Sequence, residues 1–234
     1  SPAYIAAHPG EPAHLKTESW YVVDAAPTAA GQPPMLYIGL RSGVTHAEFA
    51  AAARAQSPKI VEMLNHVPAV AGGGHTLPSG IPPGMGAGVV VAEVQLPSDM
   101  TFRVYDWGGG GREMHVEAAL ESIADPSVPP PQRGLLVEGS LCARLATTPY
   151  YTIDEARPLD GDDLTIGYAC KQAKRAPFVL LILQGEGELR HAEDDFAPMS
   201  VSAGQTVLVP ASVAAATHLR ALRDLRVLRV GLCG

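Results

Sequence analysis

One pattern occurs twice in this chain and restricts its fold more than any other feature: a glycine, five residues, a proline, one residue, and a small residue. It runs from Gly72 through Pro78 to Gly80, and again from Gly204 through Pro210 to Ser212. A glycine suits the turn before a strand, and a proline, which lacks a backbone donor, stops the ladder after it. The spacing predicts a short strand inside each copy and a diverged internal duplication. Glycine and proline, 24 and 21 residues in 234, break up short apolar runs throughout, as expected of an all-β barrel or sandwich.

Two segments depart from that rhythm. Residues 44–65 are alanine-rich, with Phe49, Ala53, Ile60, Met63 and Leu64 at near-helical spacing, and Thr45 with Glu48 fits a capping box. A second short helix is expected over 116–123. The run Gly185-Glu186-Gly187-Glu188-Leu189 reads as a tight turn between strands. The proline-rich stretch from Asp125 to Gln132 reads as a domain boundary, dividing the chain into 1–125 and 126–234.

Composition removes several function classes. A net charge of −7 gives no footprint for nucleic acid. No apolar run approaches the roughly 20 residues that cross a bilayer as a helix, and no signal-peptide pattern opens the chain. Three widely spaced cysteines (Cys142, Cys170 and Cys233) suggest reduced thiols rather than a disulfide frame or zinc cluster. A cytoplasmic protein without membrane or nucleic-acid partners is the expectation.

Specific chemistry enters with Lys16-Thr17-Glu18-Ser19-Trp20-Tyr21. This segment resembles the K-T-E-x-W-Y signature of the type I phosphomannose (mannose-6-phosphate) isomerases, members of the cupin superfamily. Further matches follow in the same order: Tyr37-Ile38-Gly39-Leu40, Gly86-Ala87-Gly88, Glu93-Val94-Gln95, Ser98-Asp99, the run from Thr101 to Trp107, and Met114-His115-Val116-Glu117-Ala118-Ala119-Leu120. The resemblance covers about residues 5–125, with a weaker tail to 234. It implies a mainly β fold of two cupin-like jelly-roll halves, the first with a small helical insertion near 44–65 and the second smaller.

The same resemblance implies zinc-dependent interconversion of mannose 6-phosphate and fructose 6-phosphate. The family's four metal-ligand positions fall on Ala6, His8, Glu18 and Pro83, so His8 and Glu18 remain as candidate ligands while two donors are lost. Proline carries no side-chain lone pair, and a two-ligand zinc site is expected to be weak or empty. His75, on the strand leading to Pro78, is a candidate substitute. Residues 6 and 8 are read as sharing one face of a strand, turned by Pro9-Gly10 toward a second strand bearing Glu18, Trp20 and Val22. In the second copy of the repeat, Ala215 stands at the histidine position, which implies a structural half without a metal site.

The family's remaining site residues fall on Lys16, Glu93, Asp99 and Arg103. Lys16 and Glu93 are candidates for proton transfer between C1 and C2, and Arg103 for the enediolate or the phosphate. Asp99 and Arg103 are the candidate substrate-binding pair. A bland alternative makes Glu93 and Arg103 a surface ion pair. His46, His66, His115, His191 and His218 show no partner pattern, and Gly108 to Gly111 resembles a phosphate loop in composition only. Family members carry a longer N-terminal part than this chain, and uncovered strand edges would favour a homodimer. Three functions stay open: an isomerase with an altered site, a non-catalytic sugar-phosphate-binding barrel, and a structural remnant.

Overall fold

The computed structural model describes residues 1–10, 14–109, 111–124, 141–167 and 176–232. The chain divides into two compact units, Ser1–Pro131 and Gln132–Gly234. The boundary expected within 125–132 lies outside the described residues, as do Cys170 and Cys233. Among the described residues, no helix is long and apolar enough to cross a membrane.

The first unit contains helix α1 (Pro2–Ala7), strands β1 (Glu18–Ala25) and β2 (Met35–Leu40), helix α2 (His46–Arg54), strands β3 (Leu64–Pro68), β4 (Gly74–Leu77), β5 (Pro83–Met85) and β6 (Val89–Gln95), and helix α3 (Val116–Ser122). They build two antiparallel sheets, ordered β4-β1-β6 and β3-β2-β5. Trp20, Val22 and Leu77 from one sheet pack with Leu36 and Ile38 from the other, so a sandwich core forms between them. β1, central in its sheet, is buried at every residue from Glu18 to Val22. A polar group placed there must find its partner inside the protein.

The predicted helical insertion is present but shorter and split. Thr45 caps α2 with both hydrogen bonds of the capping box to Glu48, a cap worth about 1 kcal/mol. Phe49, Ala50, Ala52 and Ala53 are its buried face. The helix ends before Pro58, where a single run of 3₁₀ structure (Pro58–Met63) leads into β3. Residues 64 and 65, read as helical by spacing, belong to that strand. α3 agrees with expectation to within one residue.

The second unit is one antiparallel sheet with the path β11-β10-β13-β8-β7. Its strands are β7 (Cys142–Thr147), β8 (Tyr151–Ala156), β9 (Asp163–Thr165), β10 (Phe178–His191), β11 (Met199–Ser202), β12 (Thr206–Val209) and β13 (Thr217–Leu232). The long strands β10 and β13 stay paired along nearly their whole length. One end of this pair carries β12 and β8 on its flanks, and the other carries β11 and β9. The ladder shifts register near Gln184 and Glu186, which bends the pair. Gly185 therefore corrects the sequence expectation: residues 185–189 lie inside a continuous strand and form no hairpin turn. Gly185 has φ +78°, and a Cβ there would sit 2.2 Å from the Arg223 carbonyl oxygen. Only glycine lets the two backbones cross the bend together.

The duplicated pattern behaves as its residues require. Gly72 and Gly204 have φ of +84° and +88°. β4 and β12 begin two residues after those glycines and end immediately before Pro78 and Pro210.

Candidate active site

The site grows from β1. Its antiparallel pairing with β6 sets Glu18 opposite Gln95 and Trp20 opposite Glu93, so Glu93 is the diagonal neighbour of Glu18 on one face of the sheet, within reach of long side chains. Lys16, two residues before the strand, places its Nζ 2.7 Å from Glu18 Oε2 and 3.7 Å from Glu93 Oε1. The backbone N–H of Lys16 donates to Ser79 Oγ at 3.3 Å, tying this approach to the turn that follows Pro78.

Two carboxyl groups with one ammonium cannot both ionise freely. Glu18 is 7% exposed. Burial and its hydrogen bond with Glu93 push its pKa up to about 7, and Lys16 only partly offsets this. Glu93, accepting from Glu18, is held below the ordinary carboxylate range. These opposite shifts suit one group to donate a proton and its neighbour to accept one.

A cavity of about 450 Å³ adjoins this cluster. Lys16 and Glu18 form one wall, and Pro83 and Met85 of β5 form another. Arg103, Tyr105, Trp107 and Arg112 enter from the loop between β6 and α3, while Ile60 of the 3₁₀ run and Leu64 at the start of β3 supply apolar lining. Arg103 is positioned by donating from Nη1 to the Glu113 carbonyl at 3.0 Å and from its backbone N–H to His115 Nδ1 at 3.3 Å. Arg112 is ion-paired with Asp106. An apolar pocket bordered by two guanidinium groups and a proton-sharing acid pair suits a small polyol carrying an anionic group.

The structure distributes the predicted residues unevenly. It brings Lys16, Glu18, Glu93, Arg103 and Pro83 to one region, and no Glu93–Arg103 ion pair forms among the described residues. Asp99 does not line the cavity but lies with Gln95 and Ser98 at a neighbouring depression that shares His14 with it. The strand expected at residues 6 and 8 is corrected to α1. Ser1 caps this helix, Pro2 occupies its first turn and alanines follow, a run that favours helix over strand. Period-two alternation consequently does not apply there, and Ala6 is exposed. His8, at the end of α1, stacks on Tyr4 with ring centroids 4.1 Å apart, and its Nε2 lies 3.3 Å from Glu121 Oε2. His75 is buried on β4 opposite Trp20 and does not line the cavity.

A zinc ion does not fit this donor arrangement. A catalytic zinc needs about three protein ligands, and an ammonium group already engages the carboxylate of Glu18. Among the described residues, no cluster of three or more His, Cys, Asp or Glu side chains is arranged to hold a metal. Four cavity residues carried no assignment in sequence: His14, Tyr105, Trp107 and Arg112. Tyr105 and Trp107 were legible as an aromatic concentration in a chain with only 6% aromatic residues. Arg112 and His14 carried no comparable signal.

No family model matches the chain. A mannose-6-phosphate isomerase of Streptococcus mutans is 27% identical over 206 residues, covering 83% of this chain and 58% of the relative. The mannose-6-phosphate isomerase ManA of Bacillus subtilis is 28% identical over 191 residues, covering 76% and 54%. This chain thus spans a little over half the length of these curated relatives. Among solved structures, the Bacillus subtilis mannose 6-phosphate isomerase superposes with a TM-score of 0.74 at 17% identity, covering 97% of this chain and 68% of that one. A phosphomannose isomerase variant from Salmonella typhimurium gives 0.64 at 14% identity, covering 96% and 68%.

Proposed function

We propose that the chain is a member of the type I mannose-6-phosphate isomerase family, as its similarity to two such enzymes supports, and that the cavity of the first unit is a hexose-phosphate site with an impaired isomerase apparatus. The observation that carries this reading is that Lys16 and Glu18, with Glu93 beside them, line a cavity that also holds Arg103. Aldose–ketose isomerisation moves one proton from C2 to C1 and the hydroxyl proton from O2 to O1, with negative charge appearing on oxygen between the two steps. Glu93, ionised and beside Glu18, is the base. Glu18 holds a proton up to about pH 7 and can deliver it to C1, after which the proton taken by Glu93 crosses their hydrogen bond to restore both groups, and the Lys16 ammonium faces the developing oxyanion. Arg103 and Arg112 suit the phosphate.

Zinc, implied by the resemblance, would polarise the carbonyl, an effect worth on the order of several kcal/mol. The donors do not fit it, so no step is routed through it, and turnover is expected to be slow. A non-catalytic phosphosugar-binding barrel is the second reading. It is favoured by Pro83 at the cavity wall and by His8 engaged with Tyr4 and Glu121.

Calorimetry with mannose 6-phosphate, together with a coupled assay for fructose 6-phosphate, separates these readings. Binding with slow turnover that Lys16→Met abolishes supports the impaired isomerase. Binding without turnover supports the barrel. Absence of both removes the hexose-phosphate site.

A further inference from the structure

Trp107 occupies a backbone position that a large aromatic residue normally avoids. The Gly109 N–H donates to the Asp106 carbonyl at 2.7 Å, closing a turn whose central residues, Trp107 and Gly108, have φ of +54° and +75°. Positive φ at both central positions is the type I′ arrangement, which selects Gly, Asn or Asp. A bulky side chain there is a true outlier, and strain of this kind persists where a site uses it.

The side chain gains little burial in return. Trp107 remains 44% exposed although it lines the cavity. Its ring stands 4.9 Å from that of Tyr37 and 5.8 Å from that of Tyr105, tilted to both. Gly84 keeps room for it, since a Cβ there would sit 3.1 Å from Trp107 Cζ2. The indole is thus seated at its edges by two aromatic rings and a bare backbone, and the cavity also holds the cations Arg103 and Arg112.

We propose that Trp107 is a stacking platform for the ring of a phosphorylated sugar, lying under its C–H face while Arg103 and Arg112 hold the anionic group. This rests on the hexose-phosphate reading and adds how the ring is recognised. Aromatic rings present a large, rigid apolar surface at small entropic cost, and an exposed indole beside cations can distinguish a sugar phosphate from phosphate alone.

The turn itself supplies the test. Trp107→Gly fits the left-handed position better than the native residue does, so its thermal midpoint should equal or exceed that of the native protein. Its affinity for mannose 6-phosphate should fall about tenfold, roughly the range for loss of one aromatic contact. Trp107→Phe should retain most of the affinity, and inorganic phosphate should bind all three proteins alike. Mannose 6-phosphate should also shift the native tryptophan emission, a change missing in Trp107→Gly. Equal affinity of native protein and Trp107→Gly for mannose 6-phosphate would overturn the platform alone. A lower midpoint with unchanged affinity would assign Trp107 to packing. Failure of the native protein to bind mannose 6-phosphate would remove the hexose-phosphate reading and the platform together.

Discussion

The two units both bury carboxylates on a β-sheet, and they neutralise them differently. In the second unit Asp154 is ion-paired with Arg144 and Arg229, and Glu155 with Arg157 and Arg226. Two acids there meet four guanidinium groups, and neither lies at the cavity. In the first unit Glu18 and Glu93 share one ammonium, and the buried Glu18 lines a cavity. Each acid of the second unit, matched by two guanidinium groups, clamps strands together. An under-compensated pair keeps a transferable proton. The acids of the second unit are tied to neighbouring strands through Arg144 on β7 and Arg226 and Arg229 on β13, whereas Glu18 of the first unit lines a cavity.

Experiments can break this contrast at either end. The largest effect is expected for Arg229→Ala, which strips one partner from a buried pair 3.0 Å apart. A loss of about 3–5 kcal/mol is expected, visible as early denaturant unfolding of the second unit. A near-neutral result would show that Asp154 depends on Arg144 alone. Next comes Lys16→Met, which should cut any isomerase turnover by at least about a hundredfold, the lower range for loss of a group that stabilises an oxyanion. Sugar-phosphate affinity should change far less, as measured by the assay and calorimetry together.

Proton linkage offers a subtler probe. Between the ordinary carboxylate pKa and about pH 7, folded Glu18 keeps a proton that the unfolded chain has released. Its contribution to stability is present at low pH and is lost as pH rises through that window. Glu93, shifted downward, works oppositely, and its contribution is lost only below the ordinary carboxylate range. Glu18→Gln should therefore flatten the stability profile between about pH 5 and pH 7, read from denaturant midpoints. An identical slope in both proteins would contradict proton sharing. The smallest effect belongs to the exposed pair Arg54–Glu117 joining α2 and α3, where solvent screening leaves little to lose and Arg54→Ala should leave the denaturant midpoint nearly unchanged.

How far the residues alone reach can be traced position by position. Gly72, Gly204, Pro78 and Pro210 announce two turn–strand–stop units because their limits are covalent and need no neighbours. Thr45 with Glu48 announces α2 for the same local reason. Gly185 misled because positive φ serves a hairpin and a bend within a strand equally, and only pairing with β13 distinguishes them. At the site, Lys16, Glu18, Glu93 and Arg103 were legible as a set through resemblance. The turn holding Trp107 was not, since its strain comes from the Asp106–Gly109 closure.

What the chain determined unaided was therefore its punctuation and its stock of donors: a proline cannot ligate, a glycine can bend, an alanine-rich capped run coils. Which charges meet was settled in three dimensions. The β1–β6 register sets Glu93 beside Glu18, Lys16 closes over both, and His8 turns to Tyr4 and Glu121 on a helix where period-two reasoning foresaw a strand. Local geometry follows from bonds within a few residues, whereas a pKa or a binding wall depends on neighbours distant in sequence that only packing brings within a few ångströms.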